Sequence, residues 1–141
     1  RRLFAAFLLI IWMGSKLMVR SYRKGYMAER ELVHTLSKRG YMVVRTPRSG
    51  RINLASPDVI AAKSGRLIVI ECKSRENAFK IQEGQLDELK EWRDKAGAHA
   101  YIGLKISRKG WKFLHLSDVL ANNGNIGKKF AEEKGIAMHE I

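Results

Sequence analysis

Two short segments place charged residues inside apolar, strand-like sequence, where they could perform chemistry. The first is residues 56–60 (SPDVI), and the second is residues 67–73 (LIVIECK). A protein core rejects charges that lack partners, so Asp58, Glu71 and Lys73 need one another or a ligand. Carboxylate oxygens are ligands that suit Mg²⁺, and an adjacent lysine can orient or deprotonate a metal-bound water. These residue types therefore predict metal-assisted hydrolysis.

The spacing of these residues predicts that they meet at one edge of a sheet. Side chains alternate between the faces of a strand, so Glu71 and Lys73 point one way, while Cys72 points toward apolar packing. Residues 63–66 (KSGR) between the segments have the composition of a turn. If the segments pair as a hairpin, Asp58 at the start of the first strand lies near Glu71 toward the end of the second. Two carboxylates and an ammonium then converge.

A helix before these strands offers a third carboxylate. Residues 22–36 have apolar positions at four-residue spacing, and Gly40 supplies a stop. The apolar stripe consists of Ala28, Leu32 and Leu36, with Val33 beside it. Glu29 adjoins this stripe and would join the site from the helix. An ordinary solvated glutamate is the alternative interpretation.

The remaining sequence predicts further strands and helices. Strands are expected at residues 41–45, 98–106 and 111–116, and helices at residues 84–96, near 117–121 and at 128–134. Gly97 follows the helix at 84–96 and is expected to end it. The order α-β-β-β-α-β-β predicts an α/β domain with a mixed central sheet flanked by helices.

The charge of the chain predicts a polyanionic partner, with nucleic acid favoured. The 141 residues contain 27 Lys and Arg against 14 Asp and Glu, a formal charge of +13. A basic surface that serves solubility is the alternative. The loop from Thr46 to Ala55 is basic, and Arg45, Arg48 and Arg51 would bind phosphates bidentately, although a plain surface loop is also consistent with it.

Cysteine and histidine content narrows the chemistry. A single cysteine, Cys72, cannot form an internal disulfide, which fits a reducing, cytoplasmic location. The histidines lack metal-ligand spacing, so zinc is not expected. No P-loop or dinucleotide-type glycine motif is present.

The ends of the chain are expected to differ from its middle. Residues 3–13 are continuously apolar but fall short of the ~20 residues that cross a bilayer, and no A-x-A cleavage site follows them. We therefore expect residues 1–18 to be an extension outside the fold, with no stable membrane span. A membrane-surface or partner-binding helix is the alternative. Residues 19–121 would form the main domain, followed by a tail of unknown role at 122–141.

Six segments taken together resemble a known family. In chain order they are 22–25 (YRKG), 28–32 (AEREL), 43–45 (VVR), 49–50 (SG), 57–61 (PDVIA) and 70–73 (IECK). They resemble the archaeal Holliday junction resolvases of the Hjc type, members of the PD-(D/E)xK nuclease superfamily. The resemblance extends from about residue 22 to about residue 116. It implies a restriction-endonuclease-like fold.

The resemblance also implies an activity and a catalytic centre. The expected protein is a homodimeric, Mg²⁺-dependent endonuclease, with Mn²⁺ as an alternative metal, that cuts four-way DNA junctions by paired symmetric nicks. Glu29, Asp58 and Glu71 match the metal-binding acids of the family, and Lys73 matches its catalytic lysine. Ser49 matches a serine implicated in catalysis.

Further positions match DNA-binding or supporting residues. Arg30 and Arg45 match basic residues tied to DNA binding or activity, and Gln85 falls where many nucleases of this fold have a helix glutamine near the site. The full predicted DNA-binding set is Arg23, Lys24, Arg30, Arg45, Arg48, Arg51 and Arg75. Two alternatives remain open: a restriction-type, repair-type or resolvase-related bacterial nuclease of the same fold, and a non-catalytic basic DNA-binding protein.

Overall fold

A five-stranded mixed sheet forms the centre of the computed structural model, which describes residues 2–47 and 53–141. The elements in chain order are α1 (Arg2–Lys38), β1 (Met42–Arg45), β2 (Val59–Lys63), β3 (Arg66–Lys73), β4 (Phe79–Lys80), α2 (Glu83–Ala96), β5 (His99–Ile106), β6 (Gly110–His115), α3 (Leu116–Ala121), β7 (Asn125–Ile126) and α4 (Lys128–Lys134). A 3₁₀ turn, Met138–Glu140, follows α4. The predicted α/β class is confirmed.

The sheet has the strand order β1-β2-β3-β5-β6. The β3–β5 pair is parallel because α2 connects the two strands, and the other neighbours are antiparallel. The predicted hairpin is β2–β3, with Val59 opposite Ile70. Its turn places Ser64 and Gly65 at φ 49° and 78°, a left-handed pair that matches the twist of a two-residue hairpin.

Helices cover both faces of the sheet because its central strands are apolar on both sides. Val69 belongs to a core that includes Leu86 and Leu89 of α2. Its neighbours Ile68 and Ile70 belong to a second core that includes Leu32 and Leu36 of α1. These two layers confirm the expectation of a mixed sheet flanked by helices.

The first helix differs from its predicted extent. The helix expected from residue 22 begins at Arg2, and its buried residues are confined to the stretch from Ala28 to Leu36. Before Ala28, the described residues of α1 are exposed, apart from the half-buried Gly25. By length and composition this helix could cross a membrane, and no residue of its apolar window is buried. The expectation of no stable membrane span considers only the 11 residues at 3–13, which are too few to cross a bilayer. The helix continues beyond them, so its apolar part is longer than this expectation assumes.

The last twenty residues pack against the domain and are not separate from it. Strand β7 pairs with β4, and Ile136 exchanges two backbone hydrogen bonds of 2.9 Å with Phe113 of β6. Ile126, Ala131 and Ile141 are buried. The boundary drawn at residue 121 from sequence therefore cuts through the folded core. The sequence did not reveal this because two-residue strands have no readable periodicity.

Candidate active site

The ends of β2 and β3 bring Asp58 and Glu71 together. Asp58 lies one residue before Val59, so extending the hairpin register by one residue sets it opposite Glu71. The backbone N–H of Cys72 donates a hydrogen bond of 2.8 Å to Oδ2 of Asp58. The hairpin therefore fixes the position of the Asp58 carboxylate beside Glu71.

Lys73 and Gln85 complete a connected group around Glu71. Nζ of Lys73 lies 3.4 Å from Oε1 of Glu71 and donates a 2.8 Å hydrogen bond to Oε1 of Gln85. Nε2 of Gln85 donates to Oε1 of Glu71 at 2.9 Å. Gln85 belongs to the first turns of α2, which packs on the face toward which Glu71 and Lys73 point. These contacts place Asp58, Glu71, Lys73 and Gln85 in one group.

The group has the electrostatics of a site that needs a cation. Burial and, next, the neighbouring charge of Asp58 raise the pKa of Glu71 to about 7, although Lys73 opposes this shift. Glu71 is buried and Asp58 is half-buried, and two adjacent carboxylates in such a position are costly unless a proton or a cation neutralises them. Oxygen-only donors of this kind match a hard divalent cation such as Mg²⁺.

Cys72 is not equipped to act as a nucleophile. Burial, followed by the charge of Asp58, raises the pKa of its thiol well above the ordinary cysteine range. The thiolate is the nucleophilic form, so this environment disfavours thiol chemistry at neutral pH. Cys72 instead packs against the core on the α1 side of the sheet, as the alternation of strand side chains predicts.

Glu29 is buried and bonded to Arg45, so it is not the solvated glutamate of the alternative interpretation. Its residue exposure is only 4%. Nε of Arg45 donates a hydrogen bond of 2.7 Å to Oε2 of Glu29, and the Arg45 guanidinium lies 4.6 Å from the ring centroid of Tyr26. Glu29 is on α1 and Cys72 packs with the core on the α1 side, and the Glu29 charge contributes to raising the pKa of Cys72.

Of the three predicted metal-binding acids, Asp58 and Glu71 adjoin each other, and Glu29 is bonded to Arg45 instead. Across residues 2–47 and 53–141, no three His, Cys, Asp or Glu side chains are arranged so that they could hold a metal ion together. Arg45 pairs with Val59 across β1 and β2, on the sheet face that α1 covers, and this position brings its guanidinium to Glu29.

Basic side chains of the predicted DNA-binding set differ in accessibility. Arg23, Lys24, Arg30 and Arg75 are exposed, whereas Arg45 is mostly covered by its contacts with Glu29 and Tyr26. Ser49, Arg48 and Arg51 lie outside the described residues.

A groove of about 580 Å³ lies between α1 and the β5–β6 turn. Its lining residues include Lys24, Arg30, Lys105, Arg108 and Ser74, the residue after Lys73. Lys105 also donates a 2.6 Å hydrogen bond to Glu31 on α1. Sequence reasoning did not select Lys105 or Arg108, because strand and turn lysines and arginines are common and only the fold brings these two toward α1.

Two residues of α2 hold the segment that leads to Asp58, and sequence reasoning missed both roles. Nε1 of Trp92 donates to the carbonyl of Ala55 at 2.9 Å, and Oε2 of Glu88 accepts from the backbone N–H of Ser56 at 3.2 Å. From the apolar stripe of α2, Trp92 is predicted to be a core residue. Its ring does pack against the core, but the prediction did not include the hydrogen bond that its indole N–H donates. Both hydrogen bonds fix the backbone just before Asp58 to helix α2.

Comparisons with known proteins show the family of this chain. Residues 20–141 match the family model described as archaeal Holliday junction resolvase (hjc). The crossover junction endodeoxyribonuclease Hjc of Sulfolobus acidocaldarius is 43% identical over 99 residues, which are 68% of each chain. The Hjc of Sulfurisphaera tokodaii is 36% identical over 123 residues, covering 84% of this chain and 85% of that protein.

A solved structure gives the same result for the fold. The structure of Archaeoglobus fulgidus Hjc, described as a Holliday junction resolvase, superposes with a TM-score of 0.73 at 25% identity. The superposition covers 82% of this chain and 98% of that one. The restriction-endonuclease-like fold expected from the resemblance is thereby supported.

Proposed function

The chain belongs to the archaeal Holliday junction resolvase (Hjc) family, and we propose that it cuts four-way DNA junctions by Mg²⁺-dependent hydrolysis of phosphodiester bonds. The products would be paired symmetric nicks. The observation that supports this proposal most directly is the group formed by Asp58, Glu71, Lys73 and Gln85 at the end of the β2–β3 hairpin.

Asp58 and Glu71 are the proposed metal ligands. The burial of Glu71 and the repulsion between the two carboxylates favour a cation between them, and their oxygens suit Mg²⁺, with Mn²⁺ as a substitute. When bound, such an ion neutralises the scissile phosphate and lowers the pKa of a bound water, which supplies several kcal/mol of transition-state stabilisation.

Lys73 would act directly on the reacting phosphate. Its ammonium has three N–H donors, and Gln85 takes one of them in a fixed direction. A remaining N–H of Nζ can donate to a phosphate oxygen or to the attacking water. Because the Lys73 side chain is only 19% exposed, its hydrogen bonds face little competition from solvent.

Glu29 and Ser49 complete the proposed catalytic set. Glu29 would join the acids when the phosphate backbone of bound DNA draws Arg45 away, since guanidinium groups bind phosphates as well as carboxylates. Ser49 would act from the loop that precedes Asp58.

DNA would be held by charge and shape and not by base sequence. Arg23, Lys24, Arg30 and Arg75 are exposed, and the groove lined by Lys105 and Arg108 extends this basic surface. Arg48 and Arg51 of the loop are further proposed phosphate ligands. Phosphate contacts carry no sequence information, so affinity would fall steeply with salt. A two-fold homodimer would present two active sites to two strands of a junction.

Cleavage of branched and linear DNA tests the proposal. The full chain, kept soluble in a non-ionic detergent, would be incubated with Mg²⁺ and either a four-way junction or a linear duplex of the same arm sequence. We expect two symmetric cuts in the junction and little cutting of the duplex. Equal cutting of both substrates would reject junction selectivity, and binding without cleavage in Mg²⁺ or Mn²⁺ would support a non-catalytic DNA-binding protein. We propose that the nuclease domain acts in the cytoplasm, where the DNA is.

A further inference from the structure

The first part of α1, residues 3–19, is apolar except at residues 14–16 (GSK), and all of its residues are exposed. Four consecutive residues, Leu8, Leu9, Ile10 and Ile11, are 52%, 55%, 67% and 53% exposed. Successive helix positions are about 100° apart, so these four residues point in different directions around the axis. A groove on another protein would cover only one such face.

The dimensions of this segment fit the interior of a bilayer. At about 1.5 Å per residue, residues 3–19 span roughly 26 Å, against about 30 Å for a typical hydrocarbon core. Lys16 is the only charged residue of the segment, and it lies one turn from the end. A lysine in this position can extend its ammonium to the interface. By length and composition the helix meets the criteria for a membrane span.

The charges that follow the segment fit a lipid surface. Arg20, Arg23 and Lys24 come directly after it, and no acidic residue precedes Glu29. Residues 1–2 (RR) precede the segment, but the three basic residues that follow it outnumber them, and the more basic side of a membrane helix faces the cytoplasmic leaflet and its anionic headgroups. The family match begins at residue 20, where this basic stretch starts.

We propose that residues 3–19 insert into a lipid bilayer and tether the nuclease domain to the membrane surface. A helix that lay flat on the surface would need a polar face, which residues 3–13 lack. The tether places the basic end of α1 at the headgroups and the catalytic domain on the same side of the membrane as Arg20. This inference does not depend on which DNA the domain cuts.

Vesicle flotation of the full chain tests the tether. Protein reconstituted from detergent with neutral phosphatidylcholine vesicles is expected to float with them and to stay bound in about 1 M NaCl, because insertion is not screened by salt. The double substitution Leu8→Glu with Ile11→Glu should reduce the floating fraction at least tenfold. Charged side chains near the centre of a membrane helix strongly disfavour insertion, so two of them account for a loss of this size.

A matched control separates insertion from a general loss of apolar surface. Met42→Glu with Leu54→Glu adds the same charge at two exposed apolar residues outside α1 and should leave flotation unchanged. The proposal is overturned if the protein binds only anionic vesicles and is released by salt. It is equally overturned if the unmodified chain does not bind vesicles and instead forms a dimer that the α1 substitutions dissociate. Removal of residues 3–19 from the mature protein by the cells that express it would also overturn it.

Discussion

Lys73 and Gln85 are joined by a hydrogen bond of 2.8 Å from Nζ to Oε1, and the other end of the same amide donates to Glu71 at 2.9 Å. One side chain thus accepts from the proposed catalytic lysine and donates to the proposed metal ligand. Among residues of this length, only glutamine can do both, because glutamate lacks the donor and lysine lacks the acceptor. Gln85 is therefore a positioning residue for both groups.

Gln85→Leu is expected to lower kcat for junction cleavage roughly 10- to 100-fold, which is typical for the loss of an outer-sphere hydrogen bond at a metal site. KM for DNA should change little, because the arginines proposed to bind phosphates are untouched. Single-turnover cleavage measures the effect. Gln82→Leu is the matched control, since Gln82 is exposed and its side chain makes no capping hydrogen bond at α2. Equal effects of the two substitutions on kcat would contradict the proposal that Gln85 positions Lys73 and Glu71.

Asp58→Asn should separate binding from cleavage. The substitution keeps the shape of the side chain but removes the charge of a proposed metal ligand, so cleavage should fall about a thousandfold or more, as expected for several kcal/mol of lost transition-state stabilisation. The affinity for junction DNA, measured by gel shift, should stay within about threefold of the unmodified protein, because backbone-phosphate binding comes from basic residues. Asp87→Asn, at an exposed position on α2, is the control and should retain activity.

The raised pKa of Glu71 predicts a pH-dependent stability in the presence of a chelator. Between the pKa of an unfolded glutamate, about 4.3, and the folded value of about 7, the folded state holds a proton that the unfolded state has released. Rising pH therefore favours unfolding, and the free energy of unfolding should fall from about pH 5 to about pH 7 and then level off. Urea unfolding at several pH values measures this.

Two additions make the pH experiment specific to Glu71. Glu71→Gln should flatten this part of the profile, whereas Glu132→Gln, at an exposed position of α4, should not. Mg²⁺ at neutral pH should raise the free energy of unfolding of the unmodified protein through binding to the folded state, and Glu71→Gln should weaken that gain. An unchanged profile in Glu71→Gln would contradict the assignment.

The fold was predictable because local signals agreed with one another. The apolar run through Glu71, the turn at Gly65 and the four-residue spacing of Leu32 and Leu36 each indicated the element that forms. The sequence predicted that Asp58 lies near Glu71 if the two segments pair, and the register of the hairpin, with Lys63 opposite Arg66, places them opposite each other. Local pattern and tertiary structure are consistent in this part of the chain.

The remaining features depend on contacts between distant elements. No pattern along the chain shows that Arg45 bonds to Glu29, because that contact depends on how α1 crosses β1. The same is true of Trp92 and Ala55, and of the tail that returns to β6 through Ile136. The start of α1 was missed for another reason: the segment before residue 20 is apolar on all sides, so it shows no periodicity to read.

Gly103 of β5 is expected to tolerate no side chain. A Cβ atom at this position would lie 2.9 Å from Cγ2 of Ile70 and 3.3 Å from Cζ3 of Trp111, closer than such atoms pack. Gly103→Ala should therefore lower the free energy of unfolding by about 1–3 kcal/mol, the usual cost of overpacking. Gly84→Ala is the control. It has open space around it at the start of α2, so alanine should be neutral or slightly stabilising there. Thermal unfolding compares the two.

Arg45 and Glu29 should be energetically coupled. Removing the guanidinium by Arg45→Ala takes a charge-assisted hydrogen bond from a carboxylate that is only 5% exposed, so the free energy of unfolding should fall by about 2 kcal/mol. Arg93→Ala breaks an exposed ion pair with Asp94 and should have no measurable effect. Glu29→Gln in the Arg45→Ala background should recover part of the loss, because the buried charge is gone. A double-mutant cycle of the four proteins measures this coupling, and additive effects would show that the two side chains act independently.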